Sequence, residues 1–120
     1  MKTTTSSSWQ QIERFYEELI DKYQWQQQPM LMLVRSLIER GFSRKYWPLT
    51  SHAALGVSTV EKYEDLCQNR VVFVSYDDKT DSFAISFQAV IGDTVTEKHC
   101  SRAITEQQIE EIEEWLSNAI

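Results

Sequence analysis

The sequence predicts an α+β fold: an antiparallel sheet of three or four strands, packed on one face by N-terminal helices and a C-terminal helix, in the order α-α-α-β-β-β-α. Apolar residues recur at every second position from Phe83 to Ile91, and the run Val71–Tyr76 precedes them across a polar tract, which is typical of an antiparallel hairpin. Apolar stripes of helical period lie on both sides of this hairpin. The length favours a single domain, 9–120, after a disordered lead-in, 1–8.

Two amphipathic helices are predicted at the start of the domain. The first runs from about Trp9 to Tyr23, because its apolar side chains recur at intervals of three and four residues. Pro29 suits the first position of a second helix, where its missing N–H costs no hydrogen bond. Gly41 is expected to end that helix, because glycine readily adopts the left-handed conformation of a C-terminal cap.

The segment 52–68 admits more than one interpretation. His52–Val57 fits either a short strand or a short helix. Ser58 and Glu61 have the spacing of a capping box, which predicts a third helix to about Gln68 with Val60, Tyr63, Leu66 and Cys67 facing inward. Ala53–Val60 also resembles the turn and second-helix start of helix-turn-helix repressors, which would imply DNA binding. Three acidic residues accompany a single lysine in the predicted helix, and this charge is wrong for a groove lined by phosphates.

A third strand is expected over Thr94–Ile104, after a turn at Gly92-Asp93. Its register is left open by the sequence. A two-residue loop places Lys98 and Arg102 on the core face, whereas a three-residue loop places there Val95, Glu97, His99 and Ala103.

Thr105 and Gln108 then form another capping signature and predict the last helix. Its inward stripe consists of Ile109, Ile112, Trp115, Leu116 and Ala119. Its outer face consists of Glu106, Glu110, Glu111, Glu113 and Glu114.

The net charge of −6 is unevenly distributed along the chain. The segment Arg35–Lys45 has four cations against Glu39, a local charge of +3, so the remainder carries −9. Residues 104–120 contain five glutamates and no lysine or arginine. We therefore expect a bipolar molecule whose overall acidity disfavours nucleic acid and anionic membranes. No apolar run approaches the roughly 18 residues needed to cross a bilayer, and no membrane contact is expected.

Catalytic and metal-binding patterns are not found in the sequence. His52, His99, Cys67 and Cys100 lack the clustered spacing of structural zinc sites. The aspartates at 77, 78 and 81 fit a hairpin turn, because the glycine and the glutamate of a calcium-binding loop are missing. We predict no cofactor. Two cysteines without a secretion signal indicate reduced thiols and a cytoplasmic protein.

These observations predict a non-catalytic cytoplasmic protein-interaction module that binds a basic protein partner or itself. The candidate interaction surface is Arg40, Arg44, Lys45, Tyr46, Trp47, Glu106, Glu110, Glu111 and Glu114, because it combines opposite charges with residue types enriched at interfaces. One alternative is a small-molecule-binding protein or small enzyme with a pocket near His52 and His99. A second alternative is nucleic-acid binding through Arg35–Lys45.

Overall fold

The computed structural model describes residues 5–117, and for residues 5–7 and Tyr63 it describes the backbone alone. Ten elements follow one another in the order α1-α2-α3-β1-β2-α4-β3-β4-β5-α5. The helices are α1 (Thr5–Asp21), α2 (Gln28–Glu39), α3 (Phe42–Lys45), α4 (Tyr63–Leu66) and α5 (Glu106–Ser117). The strands are β1 (Trp47–Ser51), β2 (Ala54–Ser58), β3 (Val71–Asp77), β4 (Ser82–Val90) and β5 (Asp93–Ser101).

The five strands form one antiparallel sheet in the order β1-β2-β3-β4-β5. The α+β class is confirmed, but the predicted three or four strands and the predicted order are wrong. The sequence does not predict the first hairpin, because β1 and β2 are short and the turn between them has no glycine. His52 and Ala53 occupy that turn with φ of 50° and 67°, a conformation that Asn-Gly normally signals.

One face of the sheet carries the main core. Side chains of α1, α2, α3 and α5 pack there against the core-facing positions of the strands. Those sheet positions are fully or almost fully buried: Leu55, Val57, Val72, Val74, Phe83, Ile85 and Phe87. The apolar period of β4 therefore faces the helices, and burial of these side chains is the main driving force for folding.

The opposite face, which we call the outer face, is only partly covered. Val71 alternates with the core-facing Val72 and is nevertheless fully buried, as is Leu66 at the end of α4. The backbone N–H of Ile91 donates to the carbonyl oxygen of Leu66 at 3.3 Å, which fastens the α4 segment to the β4–β5 turn. Phe73 and Leu49 are half-buried on the same face.

The long helices α1, α2 and α5 agree with their sequence patterns, whereas the short helix α4 does not. The helix predicted from Trp9 begins earlier, at Thr5, and α2 contains Pro29 in its first turn. The α5 capping box is confirmed, because the Thr105 hydroxyl accepts from the Gln108 N–H at 3.2 Å and Gln108 Oε1 accepts from the Thr105 N–H at 2.8 Å. The inward position at Ala119 lies outside the described residues.

The segment predicted as a helix from Ser58 to Gln68 consists mainly of bends and turns around one short helix. The Ser58 hydroxyl accepts from the Val60 N–H at 3.3 Å in a local turn, and only Tyr63–Leu66 is helical. Cys67 is exposed instead of inward. The predicted inward position of the Tyr63 side chain lies outside the described residues. Ala54–Ser58 is strand β2, so the resemblance to a helix-turn-helix has no helical counterpart here.

Strand β5 turns Lys98 towards the core, as the two-residue-loop alternative predicts, but the turn lies one residue earlier than Gly92-Asp93. The turn residues are Ile91-Gly92, because Val90 pairs with Asp93, and Gly92 has φ of 87°. Phe87 faces Thr96, Ile85 faces Lys98 and Phe83 faces Cys100. Lys98 therefore lies on the core side and His99 on the outer side. The pairing of β4 with β5 shifts register twice near Gln88. Residues 96–101 of β5 pair regularly with β4.

Candidate functional site

The two charged segments of the sequence lie next to each other in the fold. Arg40 Nη1 lies 3.9 Å from Glu106 Oε1, and Lys45 Nζ lies 3.2 Å from Glu113 Oε2, so α2 and α3 face α5. The basic segment is thus brought against the glutamates of the last helix within one chain. The bipolar charge distribution expected from the sequence is largely neutralised where the two segments meet.

Helix α3 is held in place by buried aromatic anchors. Gly41 adopts φ of 90° between α2 and α3, which turns the chain back towards the sheet. Phe42 and Tyr46 are buried, and their ring centroids are 5.1 Å apart. The indole N–H of Trp9 donates to the carbonyl oxygen of Tyr46 at 2.9 Å. Because the aromatic side chains fix this turn, the Lys45 side chain is presented to α5.

Tyr46 and Glu113 form the polar edge of this contact. The Tyr46 hydroxyl donates to Glu113 Oε2 at 3.5 Å, and the same oxygen pairs with Lys45. Burial raises the pKa of the Tyr46 phenol, and the negative charge and hydrogen bond of Glu113 raise it further. Tyr46 therefore remains a neutral hydrogen-bond donor at neutral pH.

Two glutamates of helix α5 form no ion pair with the described residues. Glu110 and Glu114 are exposed and four residues apart, so they share one helix face. Within residues 5–117, no lysine or arginine forms an ion pair with either of them. Together with Glu113 and the facing residues they line a shallow depression, which we call the α3–α5 patch: Lys45, Tyr46, Glu110, Glu113, Glu114 and Ser117.

The other side of α5 borders a cleft of about 330 Å³ that the sequence did not predict. The guanidinium carbon of Arg70 lies 4.2 Å from the Trp115 ring centroid, and Arg70 Nη1 donates to the Trp115 carbonyl oxygen at 3.2 Å. Lys98 forms an ion pair with Glu111 at the same place. Trp115 could be found by its position in the inward stripe, but nothing in the sequence links it to Arg70.

Among the other predicted surface residues, Trp47 is separated from this patch. Trp47 pairs with Ser58 and so points to the outer face, on the side of the sheet away from α5. Arg44 is exposed, and it forms no ion pair with another described residue. The predicted nine-residue surface is therefore not continuous.

The residues considered for catalysis or metal binding do not converge. His52 lies in the β1–β2 turn and His99 on β5, at opposite edges of the sheet. Cys67 is exposed, Cys100 is half-buried, and both are free thiols. In the part of the chain that the structure describes, no group of three or more histidine, cysteine and carboxylate side chains is arranged to hold a metal ion.

Comparison with protein-family models, with curated proteins and with solved structures finds no significant match to the chain. Of the helices between residues 5 and 117, none has both the length and the apolar character needed to cross a membrane.

Proposed function

We propose that the chain is a non-catalytic protein-interaction module of the cytoplasm that binds a basic segment of a protein partner through the α3–α5 patch. The observation that carries the proposal is the unequal neutralisation of α5. Glu106, Glu111 and Glu113 each form an ion pair with a cation of the same chain, whereas Glu110 and Glu114 form none with the described residues. A partner can supply the missing positive charge.

The chemistry of the patch favours lysine or arginine in the partner. Like charges four residues apart on a helix destabilise it by a few tenths of a kcal/mol, so a cation placed between Glu110 and Glu114 removes a repulsion as well as gaining an attraction. Each exposed ion pair contributes about 0.2–1 kcal/mol. The charge therefore mainly provides steering and specificity.

The basic segment gives less support to nucleic-acid binding. Arg35 Nε lies 2.8 Å from Glu13 Oε2, and Arg40 and Lys45 face Glu106 and Glu113. A phosphate would have to displace these carboxylates or approach an already neutralised surface. Arg44 alone of the four cations has no such carboxylate among the described residues.

The proposal is tested by the double charge reversal Glu110→Lys with Glu114→Lys. A photo-crosslinking residue at position 117, placed in otherwise unchanged and in reversed protein, is used to capture partners in cells. We expect the reversal to abolish crosslinks that the unchanged protein forms to proteins with lysine- or arginine-rich segments.

The matched control reverses Glu18 and Asp21, which are exposed on α1 with the same sign of charge. The control should leave those crosslinks intact. An unchanged partner set after reversal of Glu110 and Glu114, with circular dichroism showing a folded protein, would contradict the proposal.

A further inference from the structure

The two edges of the sheet differ in how they are protected. Edge strand β1 has five residues, contains Pro48 and is bordered by α1, whose Tyr16 hydroxyl donates to the Ala53 carbonyl oxygen at 2.7 Å. Edge strand β5 has nine residues, and all but Cys100 are exposed. Among the described residues β5 pairs with β4 only, so its outer row of backbone N–H and C=O groups has no neighbouring strand.

We propose that two copies of the chain associate through β5, as antiparallel strands around a two-fold axis at Lys98, and form a continuous ten-stranded sheet. A two-fold axis that relates antiparallel edge strands stands perpendicular to the sheet, and it pairs residues that point to the same face. The axis must therefore lie between one residue and the same residue of the second copy, so that this residue pairs with itself. This limits the register to a few choices.

Side-chain complementarity selects Lys98 among these choices. With the axis at Lys98, Glu97 on the outer face lies opposite His99 of the second copy, and symmetry repeats this pair. Glu97 Oε1 and His99 Nε2 are already 3.5 Å apart within one strand, so the pairing exchanges a contact along the strand for one across the strands. An axis at Glu97 or at His99 would instead place identical side chains opposite each other on that face.

In this register Lys98 lies opposite Lys98 of the second copy, and a carboxylate of α5 offsets the repulsion between the two ammonium groups. Lys98 points to the core side, where its ammonium group pairs with Glu111 of the same chain. Two ammonium groups and two carboxylates therefore meet at the axis, with no net charge. The strand is regular from 96 to 101, whereas the register shifts lie nearer its start, which disfavours an axis at Thr96.

The substitution His99→Glu tests this register, because it places a carboxylate opposite Glu97 of the second copy at both symmetric positions. Since symmetry places two such repulsive pairs in the dimer, we expect the dimer dissociation constant to rise about tenfold. The double variant Glu97→Lys with His99→Glu places opposite charges at these two positions and should restore the dimer. Sedimentation equilibrium of the full chain measures both.

The control is His52→Glu, the same chemical change at the other edge of the sheet, which should not alter dimerisation. Hydrogen exchange should show slower amide exchange for 96–101 at concentrations where the dimer forms. A chain that stays monomeric up to millimolar concentration overturns the proposal, and so does a dimer that is equally stable in all three variants. Loss of the dimer in both His99→Glu and the double variant, with the fold intact, overturns the register.

Discussion

The substitution Gly56→Ala should destabilise the protein because Gly56 is the point where two side chains close over the outer face of the sheet. A Cβ at this position would lie 2.7 Å from Leu49 Cγ, 2.7 Å from Phe73 Cε1 and 2.9 Å from Leu49 Cδ2. Leu49 and Phe73 are the cross-strand partners of Gly56 on either side. Both must move before the added methyl group fits.

Two effects of opposite sign set the magnitude. Forcing a methyl group into a filled site costs about 1–3 kcal/mol, whereas replacing glycine by alanine within a strand recovers about 0.5–1 kcal/mol of conformational entropy. Leu49 and Phe73 are half-buried and can move towards solvent, so the cost should lie in the lower part of its range. The expected net loss is about 1 kcal/mol, which corresponds to roughly 4 °C in Tm for a domain of this size.

Urea unfolding followed by tryptophan fluorescence measures the free energy of unfolding, and a double-mutant cycle with Leu49→Ala assigns the cause. Because Leu49→Ala removes two of the three close contacts, Gly56→Ala should cost at least 0.5 kcal/mol less in that background. Gly41→Ala is the control, since nothing lies within 4 Å of its added Cβ and its cost comes from φ alone. A Gly56→Ala cost that is the same with and without Leu49 would refute the explanation.

Two further predictions concern the β1–β2 turn and the buried Tyr16 of α1, which hydrogen-bonds to that turn. Ala53→Gly should stabilise the protein by about 0.5–1 kcal/mol in urea unfolding, because Ala53 has φ of 67° and glycine adopts that region without a Cβ clash; a destabilised variant would contradict this. Burial raises the pKa of Tyr16 above its usual value, so the unfolded chain loses this proton first and stability should fall as the pH rises above about 10. Tyr16→Phe should lower the free energy of unfolding by about 1 kcal/mol at pH 7, and the stability of this variant should fall less steeply with pH in the alkaline range. If the variant loses stability with pH as steeply as the unchanged protein, Tyr16 is not the source of the alkaline pH dependence.

The elements that could be predicted from the sequence are those with long, regular apolar periods. Strand β4 and helices α1, α2 and α5 each bury one stripe, and that stripe is visible without knowledge of any neighbour. Strands β1 and β2 have five residues each, so alternation has little length in which to appear. Their turn is stabilised by the tertiary hydrogen bond from Tyr16, 37 residues away, which no local pattern records.

The α4 segment shows how a local signal can be overridden. Ser58 and Glu61 have capping-box spacing, yet Ser58 is fully buried at the end of β2 and pairs with Val71 of β3. Since the strand pairing fixes the Ser58 backbone, its hydroxyl can serve only a local turn at Val60. The candidate site shares this difficulty, because the sequence shows two charged segments but not that Lys45 and Glu113 meet across 68 residues.

The ion pairs of α5 explain why net charge alone is a poor guide to partners of this chain. Exposed pairs such as Lys45–Glu113 contribute at most about 1 kcal/mol each, so the position of α3 must depend mainly on the buried Phe42 and Tyr46. The charges are consequently not needed to hold the fold. What they determine is which carboxylates remain available, and pairing of Glu106, Glu111 and Glu113 leaves Glu110 and Glu114. If the proposed function holds, we expect a partner to be selected by this remaining pair and its spacing of one helical turn, and not by the total of −6.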